Sequence, residues 1–193
     1  MNFPVILASA NVTDFVSSWS KFYQYRNYDE YRRLIAKTKF EEADVKWLFE
    51  WKNGMTLSSD KENSYKRNIE GHIGEMIKLK EDFDPQIFKK HFEGMSAVWQ
   101  IFLLHVLQPD YFPIFDQHVY RAKLFISGEV IETLPNSGKK VIAIYHNTYL
   151  KFFQGLLNSS PLIDRFELDK ALWVFGKLIK EPKTKSKLKT CNF

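Results

Sequence analysis

The chain has 193 residues, a formal net charge of +5, 45% hydrophobic residues and 16% aromatic residues. This length is enough to bury a real core, in one domain or in two small lobes. The sequence argues against a membrane-spanning protein, because no run approaches the roughly eighteen apolar residues that cross a bilayer. It also excludes a disulfide scaffold, because Cys191 is the single cysteine.

The start of the chain and its charge set further expectations. Residues 1–10 are weakly apolar and lack a basic flank, so no export signal is predicted. Together with the lone cysteine, this predicts a soluble cytoplasmic protein. The positive charge favours an acidic partner such as nucleic acid. The 17 Phe, 9 Tyr and 5 Trp residues exceed what a core of this size needs, so some rings are expected to be exposed for stacking.

Apolar residues recur at three- and four-residue steps along most of the chain, and no strand pattern or internal repeat interrupts them. The sequence therefore predicts an all-α fold with about eight helices. Residues 1–180 form one helical domain, or two helical lobes with a cleft between them, and a Lys-rich tail follows over residues 181–193. The predicted helices span residues 12–23, 28–37, 41–52, 60–80, 85–92, 95–107, 116–126, 141–157 and 164–179.

Several helix ends carry boundary residues. Thr13 is the expected N-cap of the first helix, and Asn53-Gly54 ends the third helix in the manner of a left-handed C-cap. Asp84-Pro85 opens a later helix, since proline is favoured in a first turn. Gly94 ends that helix, and the next one begins almost immediately.

The helix that follows Gly94 and the turn after it stand out from the rest. Ser96 to Leu107 is apolar nearly all round, which predicts the buried centre of the domain. Pro109 stops this helix, and Pro113 stiffens an aromatic turn that leads into a new helix. Asp116 stands at the start of the new helix, where a carboxylate accepts hydrogen bonds from first-turn amides. The simplest interpretation of Asp116 is therefore an N-cap.

A tight glycine-containing turn, an apolar second helix and an aspartate at the next helix start occur together in this basic, helical chain. The corresponding residues are Gly94, Ala97 to Leu107, and Asp116-Gln117-His118-Val119 with Arg121. The arrangement over residues 88–122 resembles the helix-hairpin-helix DNA glycosylase superfamily, whose motif reads Asp-Thr-His-Val followed by Arg. The resemblance implies a compact fold of that kind. It also implies double-stranded DNA with a damaged or modified base as the partner, and flipping of that base out of the duplex.

The resemblance gives Asp116 a catalytic role. Cleavage of the bond between base and deoxyribose passes through an oxocarbenium-like transition state, which an ionised carboxylate stabilises directly or by orienting a water. A helix N-terminus favours the ionised form of an aspartate. The roles of cap and catalyst are therefore compatible in one residue.

Departures from the family pattern narrow the predicted activity. The segment His91-Phe92-Glu93-Gly94-Met95 keeps one glycine where the family reads Leu-Pro-Gly-Val-Gly, so fewer amides are exposed to a phosphate. Ser96 stands where strand-cleaving members carry a lysine, and no four-cysteine run exists for an iron-sulfur cluster. The expectation is a monomeric, monofunctional glycosylase that uses water and needs no cofactor or metal. Its substrate would be a damaged, alkylated or hypermodified phage base, in repair or in phage defence.

Other residues are candidates for contacts with DNA. Gly94 and Ser96 lie at the predicted hairpin, and Gln117, His118 and Arg121 are expected to support the helix or to contact phosphate. The aromatic candidates for base stacking or gap filling, each with ordinary core as its alternative, are Trp47, Trp51, Trp99, Phe112 and Phe115. The basic candidates for phosphate contacts, with solvation as the alternative, are Lys52, Arg32, Arg33, Lys139, Lys140 and the tail.

Two further interpretations stay open. Ser96 and the single hairpin glycine are also compatible with a catalytically silent DNA-binding protein of the same fold. Arg67-Asn68-Ile69-Glu70-Gly71-His72 has the Arg and His spacing of HEPN-like ribonucleases, in which both residues act on one helix of an all-α dimer. Arg and His five residues apart are common by chance, so this spacing is a weak signal.

Overall fold

The recurrence of apolar residues at three- and four-residue steps produces a fold made of α-helices. The computed structural model describes residues 11–179, and within that range the chain forms α-helices joined by turns, with no strand. The helical segments are α1 (Val12–Trp19), α2 (Tyr28–Ile35), α3 (Glu42–Asn53), α4 (Ser59–Asn68), α5 (Ile73–Glu81), α6 (Pro85–Phe92), α7 (Ala97–Leu107), α8 (Gln117–Ile126), α9 (Gly138–Ile144), α10 (Leu150–Ser159) and α11 (Arg165–Leu178).

The predicted all-α fold with about eight helices is confirmed, but two predicted helices are divided. The helix predicted over 60–80 breaks at Ile69, whose φ of −126° and ψ of −55° are not helical, and a 3-10 turn precedes α5. The helix predicted over 141–157 contains a π-helical turn, Tyr145–Tyr149, in which the amide of Leu150 bonds the carbonyl of Tyr145. The wider turn directs both tyrosine side chains into the core, where they are fully buried.

The N-terminal helix also differs from its prediction. Asn11, rather than Thr13, is the N-cap of α1, and its side chain accepts a hydrogen bond from the amide of Asp14 at 2.9 Å. The helix ends at Trp19 and gives way to a 3-10 turn over Ser20–Phe22. Asparagine and threonine are both good caps, so their order along the chain does not decide which one is used.

The contacts between backbone segments divide the chain into two units. The described part of unit 1 comprises residues 11–23, 116–134 and 156–179, and contains α1, α8 and α11. Unit 2 comprises residues 24–115 and 135–155, and contains α2 to α7 and α9. Residues of α10 belong to both units, and the boundary between Phe115 and Asp116 falls at the start of α8.

Unit 1 is built on close packing between α8 and α11. A Cβ atom at Gly176 of α11 would lie 1.8 Å from the carbonyl oxygen of His118, a distance that no side chain permits. Glycine therefore lets the two helix backbones touch. On another side of α11, the ring of Phe175 meets the edges of Phe15 and Trp19 of α1, with ring centres 5.5 Å and 5.1 Å apart.

Unit 2 is organised around α7, and the predicted burial of this helix is confirmed. Every residue from Trp99 to Leu107 is buried. Phe102 of α7 packs edge-on against Phe49 of α3, with ring centres 5.3 Å apart. The expected C-cap of α3 is also confirmed, because Gly54 has a φ of +78° and its amide bonds the carbonyl of Trp51.

Two further expectations concern membrane spanning and the C-terminal tail. Among the described residues, no helix is both long enough and apolar enough to cross a membrane. The Lys-rich tail predicted over residues 181–193 lies outside the described residues.

Candidate functional site

Asp116 begins α8 as its N-cap. Its backbone is extended, and its Oδ1 atom accepts hydrogen bonds from the amides of His118 at 2.8 Å and Val119 at 3.2 Å. Its carbonyl accepts the first helical bond, from the amide of Tyr120 at 3.0 Å. The residue is half-buried. The orientation of this carboxylate is therefore set by backbone amides, which cannot rotate away as side chains can.

Gln117 connects α8 to the loop that follows it. Its Nε2 atom donates to the carbonyl of Glu132 at 3.2 Å, and its Oε1 atom accepts from the amide of Leu134 at 2.6 Å. The hydroxyl of Tyr120 donates to the carboxylate of Glu132 at 2.8 Å. Burial, together with this carboxylate, raises the pKa of Tyr120 to about 12. Both ends of the Gln117 side chain are thus engaged within unit 1.

His118 and Arg121 face α11. The imidazole of His118 lies edge-on to the indole of Trp173, with ring centres 5.4 Å apart. Arg121 is 8% exposed, and its Nη1 atom donates to the carbonyl of Gly176 at 2.6 Å. Both residues therefore support the position of the helix that begins with Asp116. A phosphate contact from either residue remains a prediction.

The hairpin predicted at Gly94 lies between α6 and α7 in unit 2. Gly94 and Ser96 are both exposed, and the amide of Met95 bonds the carbonyl of Phe92 at 3.2 Å. Gly94 is not in a left-handed conformation, and a Cβ atom there would meet nothing closer than Asn68 Oδ1 at 3.5 Å. The side chain of Ser96 makes no capping bond to α7. Within residues 11–179, no side chain therefore caps the first-turn amides of α7.

The start of α9 lies beside the start of α7. A Cβ atom at Gly138 would be 3.6 Å from the Cβ atom of Ala97. Ser137, the N-cap residue of α9, makes no capping bond with its side chain either. Lys139 and Lys140 are exposed in the first turn of α9. This edge of unit 2 combines the positive ends of two helix dipoles with two cations, which favours contact with phosphate.

Three of the aromatic candidates for base stacking are buried. Trp51, Trp99 and Phe115 are 4%, 9% and 1% exposed. Their ring neighbours are Tyr31 at 4.0 Å for Trp51, Phe49 at 5.1 Å for Trp99 and Tyr149 at 4.8 Å for Phe115. In this arrangement the three rings serve the core, and their stacking on a base stays a prediction.

The turn that leads to Asp116 is anchored by α7. The amides of Tyr111 and Phe112 both donate to the carbonyl of Gln108 at 3.0 Å. The Nδ1 atom of His105 lies 2.7 Å from the carbonyl of Phe112, and its Nε2 atom bonds the hydroxyl of Tyr31. Because a carbonyl can only accept, Nδ1 carries a proton in this arrangement. The fully buried His105 thereby fixes the turn from inside unit 2.

Unit 2 also has a cavity whose polar residues sequence reasoning missed. It has a volume of about 240 Å³ and is lined by Arg26, Asn27, Trp47, Glu50, Trp51 and Thr56. Trp47 and Trp51 were predicted as aromatic candidates, whereas the four polar residues were not. Arg26 and Asn27 lie more than twenty residues before Glu50, so only the packing of α2 against α3 brings them together. Asn27 itself is a sequence signal for the turn at this site. Asparagine tolerates the left-handed conformation better than most residues, and Asn27 adopts it here, with a φ of 52°.

The remaining candidates lie elsewhere in unit 2. Lys52 is half-buried in the last turn of α3. Phe112 is half-buried, with its ring near those of Phe83 and His146. Arg67 lies in α4, whereas His72 lies in the 3-10 turn after the helix break, so the two residues do not share one continuous helix.

Comparison with known proteins gives no relative for this chain. No family model, no curated protein and no solved structure matches it.

Proposed function

We propose that the protein is a monofunctional DNA glycosylase of the helix-hairpin-helix type, with Asp116 as its catalytic carboxylate. The observation that carries the proposal is the setting of Asp116, a half-buried carboxylate held by the amides of His118 and Val119 at the start of α8. In the sequence, this residue follows a helical hairpin and a buried helix, which is the order that the family motif uses.

The reaction requires a negative charge at a fixed position. Cleavage of the bond between C1′ and the base nitrogen leaves the bonding electrons on the base and positive charge on the sugar. A carboxylate beside C1′ stabilises that charge, or takes a proton from the water whose oxygen forms the new bond to C1′. Because backbone amides hold the carboxylate of Asp116, it needs little reorganisation as the charge develops.

Contacts with the DNA backbone are assigned to the edge formed by the starts of α7 and α9. Gly94 and Ser96 are exposed there, and Lys139 and Lys140 are exposed beside them. Uncapped helix amides and lysines bind phosphate without regard to sequence. Such contacts suit an enzyme that recognises a single abnormal base. Phosphate contacts supply affinity for any DNA, and other residues are then free to select the base.

The residue at the hairpin favours hydrolysis over strand cleavage. Ser96 stands at the position where strand-cleaving relatives would carry a lysine, and a hydroxyl cannot form the Schiff base through which an amine opens the sugar. Water is therefore the nucleophile in this proposal, and the product is free base plus an intact strand with an abasic site.

The test is a search for free base. Duplexes that each contain one modified base are incubated with the full chain, and the small-molecule fraction is analysed by mass spectrometry. We expect release from at least one duplex, without strand cleavage and without release from an unmodified duplex. If the protein binds the duplexes but releases nothing, it is the catalytically silent DNA-binding protein that the sequence also allows. If it neither binds nor cleaves them, both interpretations are wrong.

The ribonuclease alternative receives no support of this kind. Its two residues would have to act together from one helix, and the break after Asn68 separates Arg67 from His72. The imidazole of His72 instead lies against the rings of His91 and Phe92, at 5.3 Å and 5.8 Å. The glycosylase proposal is therefore preferred.

A further inference from the structure

The cavity in unit 2 is a built site with an aromatic wall. Trp51 is held in place by three contacts: its indole N–H donates to the carbonyl of Arg26 at 2.7 Å, its carbonyl accepts from the hydroxyl of Tyr25 at 2.9 Å, and its ring stacks on Tyr31. Trp47 is half-buried, and within the described chain no other aromatic ring packs against it. One indole is therefore fixed as a wall, and the other lines the cavity without an aromatic neighbour of its own.

The polar residues around the cavity lie at its open side: Arg26, Asn27 and Thr56 are exposed to solvent, and Glu50 is half-buried. Within the described residues, the side chains of Arg26, Glu50 and Thr56 form no hydrogen bond or ion pair, and the side chain of Asn27 forms no capping bond to α2. Glu50 does interact with Lys46 at longer range, since after Glu62 it helps to raise the pKa of that lysine. A guanidinium, a carboxylate and two neutral polar groups therefore line one small, solvent-open pocket, where a ligand can replace the water around them.

The size of the cavity limits the ligand. Sites for drug-sized molecules occupy about 300–1,000 Å³, so a volume of about 240 Å³ suits a single planar ring system with its attached groups. An indole favours a flat, polarisable partner, because bases stack on aromatic rings whatever their sequence. A heteroaromatic base meets both conditions.

The charged groups select among the bases. A carboxylate only accepts hydrogen bonds and pairs with two adjacent N–H donors, whereas a guanidinium only donates and pairs with two adjacent acceptors. Guanine carries both sets, with donors at N1 and N2 and acceptors at O6 and N7. Adenine and cytosine instead have one donor next to one acceptor on this edge, and thymine has one N–H between two carbonyls. None of these three bases offers a carboxylate two adjacent donors.

We propose that this cavity is a binding site for a guanine base, with Glu50 accepting from N1–H and N2–H, Arg26 donating to O6 and N7, and Trp47 stacking on the ring. The base comes either from a free nucleoside or from an unpaired position in a DNA strand. The proposal rests on the cavity alone and does not require Asp116 to be catalytic, so either one can fail without the other.

The experiment follows the five tryptophan indole N–H signals of the ¹⁵N-labelled full chain by NMR, with the Trp47→Phe variant assigning one of them. The nucleoside probes are guanosine, inosine, which lacks the N2 amine, and adenosine. In a separate arm, the strand probes are single-stranded oligothymidylates with one central guanine or adenine. We expect guanosine or the guanine strand to shift the Trp47 signal and to bind about tenfold or more tightly than the adenine counterpart, with inosine in between.

Variants test the assigned contacts. Glu50→Gln replaces one acceptor with a donor and should lower guanine affinity about tenfold, the loss expected for a broken bidentate pair. Glu42→Gln, an exposed change on the same helix, should leave the affinity unchanged. Arg26→Gln should also weaken binding, with exposed Arg33→Gln as its control. Circular dichroism melting of each variant verifies that it is folded.

Each outcome decides the proposal. Binding of guanosine supports it with a free nucleoside as the source, and binding of the guanine strand alone supports it with a strand base as the source. Equal affinity for guanine and adenine, or an unchanged Trp47 signal in both arms, overturns it. Guanine binding without any release of base from duplexes leaves this site in place and rejects the glycosylase.

Discussion

Two groups of polar residues in this protein are used in opposite ways. Around α8 in unit 1, the side chains of Gln117, Tyr120 and Arg121 all end on hydrogen bonds to that unit. Around the cavity of unit 2, the side chains of Arg26 and Glu50 form no hydrogen bond or ion pair with the described residues. The first group fixes the helix that begins with Asp116, and the second group is left available for a ligand.

This contrast separates side chains that stabilise the fold from side chains that are available to bind a ligand. A polar side chain that completes a helix or bridges two helices contributes to stability, and its loss should appear in unfolding experiments. A polar side chain without a partner contributes little to stability, and its loss should appear in binding experiments. The substitutions below test whether that division holds.

The largest loss of stability is expected from a substitution at Gly176. In Gly176→Ala the new methyl group would lie 1.8 Å from the carbonyl oxygen of His118, so α8 and α11 must separate. We expect a loss of more than about 3 kcal/mol in the free energy of unfolding, above the usual range for overpacking, measured by urea denaturation. Gly155→Ala is the control, because nothing lies within 4 Å of its Cβ position. It should stabilise α10 by about 0.5–1 kcal/mol. A similar result for both variants would contradict the close contact.

A smaller loss is expected at Arg121. Arg121→Met keeps the length of the side chain but removes the charged donor from the carbonyl of Gly176, 2.6 Å away. Hydrogen bonds to charged groups contribute about 1.5–3 kcal/mol, and we expect a loss in that range. The comparison is Arg33→Met, whose exposed ion pair with Glu30 should matter much less. Equal losses in the two variants would show that Arg121 is not part of the scaffold.

Unit 2 also contains polar groups that hold the fold, and Lys80 is one of them. Its ammonium donates to the carbonyls of Ile35 and Val106, both at 2.7 Å, near the ends of α2 and α7. Burial lowers the pKa of Lys80 to about 8, although Asp110 opposes this shift. Between pH 8 and the pKa of an unfolded lysine, the unfolded chain holds a proton that the folded protein lacks, so stability rises with pH.

The measurement is the difference in unfolding free energy between wild type and Lys80→Met at pH 7, 8 and 9.5. We expect the wild type to gain relative to the variant as the pH rises, because the neutral amine still donates to both carbonyls. A difference that stays constant, or that shrinks with pH, would show that Lys80 keeps an ordinary pKa.

The smallest change in stability is expected from substitutions at the cavity. Glu50→Gln and Arg26→Gln should each change the free energy of unfolding by no more than about 0.5 kcal/mol, as is usual for surface positions without partners. Thermal melting with three replicate preparations resolves this limit. A loss of 2 kcal/mol or more in either variant would place these residues in the scaffold and remove the contrast with α8.

The sequence predicts the helices and several of their ends because those features are local. Asp116 caps α8 because its own carboxylate reaches the amides two and three residues later, and Gly54 ends α3 because glycine tolerates a positive φ. The burial of α7 follows from its uniformly apolar composition. Each of these outcomes depends on residues within one turn of the feature.

Other features depend on packing between distant segments, which no local pattern records. The π-helical turn at Tyr145–Tyr149 and the break at Ile69 divide sequences with good helical periodicity. The cavity requires Arg26, before α2, to meet Glu50 of α3. The role of Gly176 is defined by the carbonyl of His118, 58 residues earlier in the chain. A glycine inside a helix is a signal for such a contact, but it does not name the partner.

The central claim is that Asp116 is catalytic as well as a cap, and one substitution separates the two roles. Asparagine caps helices as well as aspartate does, so Asp116→Asn should fold and bind modified duplex DNA like the wild type. Its single-turnover rate of base release should fall by about 100-fold or more, since it lacks the charge that stabilises the transition state.

Asp164→Asn is the matched control. Asp164 caps α11 with the same pattern of hydrogen bonds, accepting from the amides of Phe166 and Glu167 at 2.7 Å and 3.1 Å, and this variant should release base at the wild-type rate. The decisive measurement is therefore the rate of base release by Asp116→Asn on a duplex that the wild type cleaves. A loss of about 100-fold with unchanged DNA binding is the predicted result, and release as fast as that of the wild type would contradict the account.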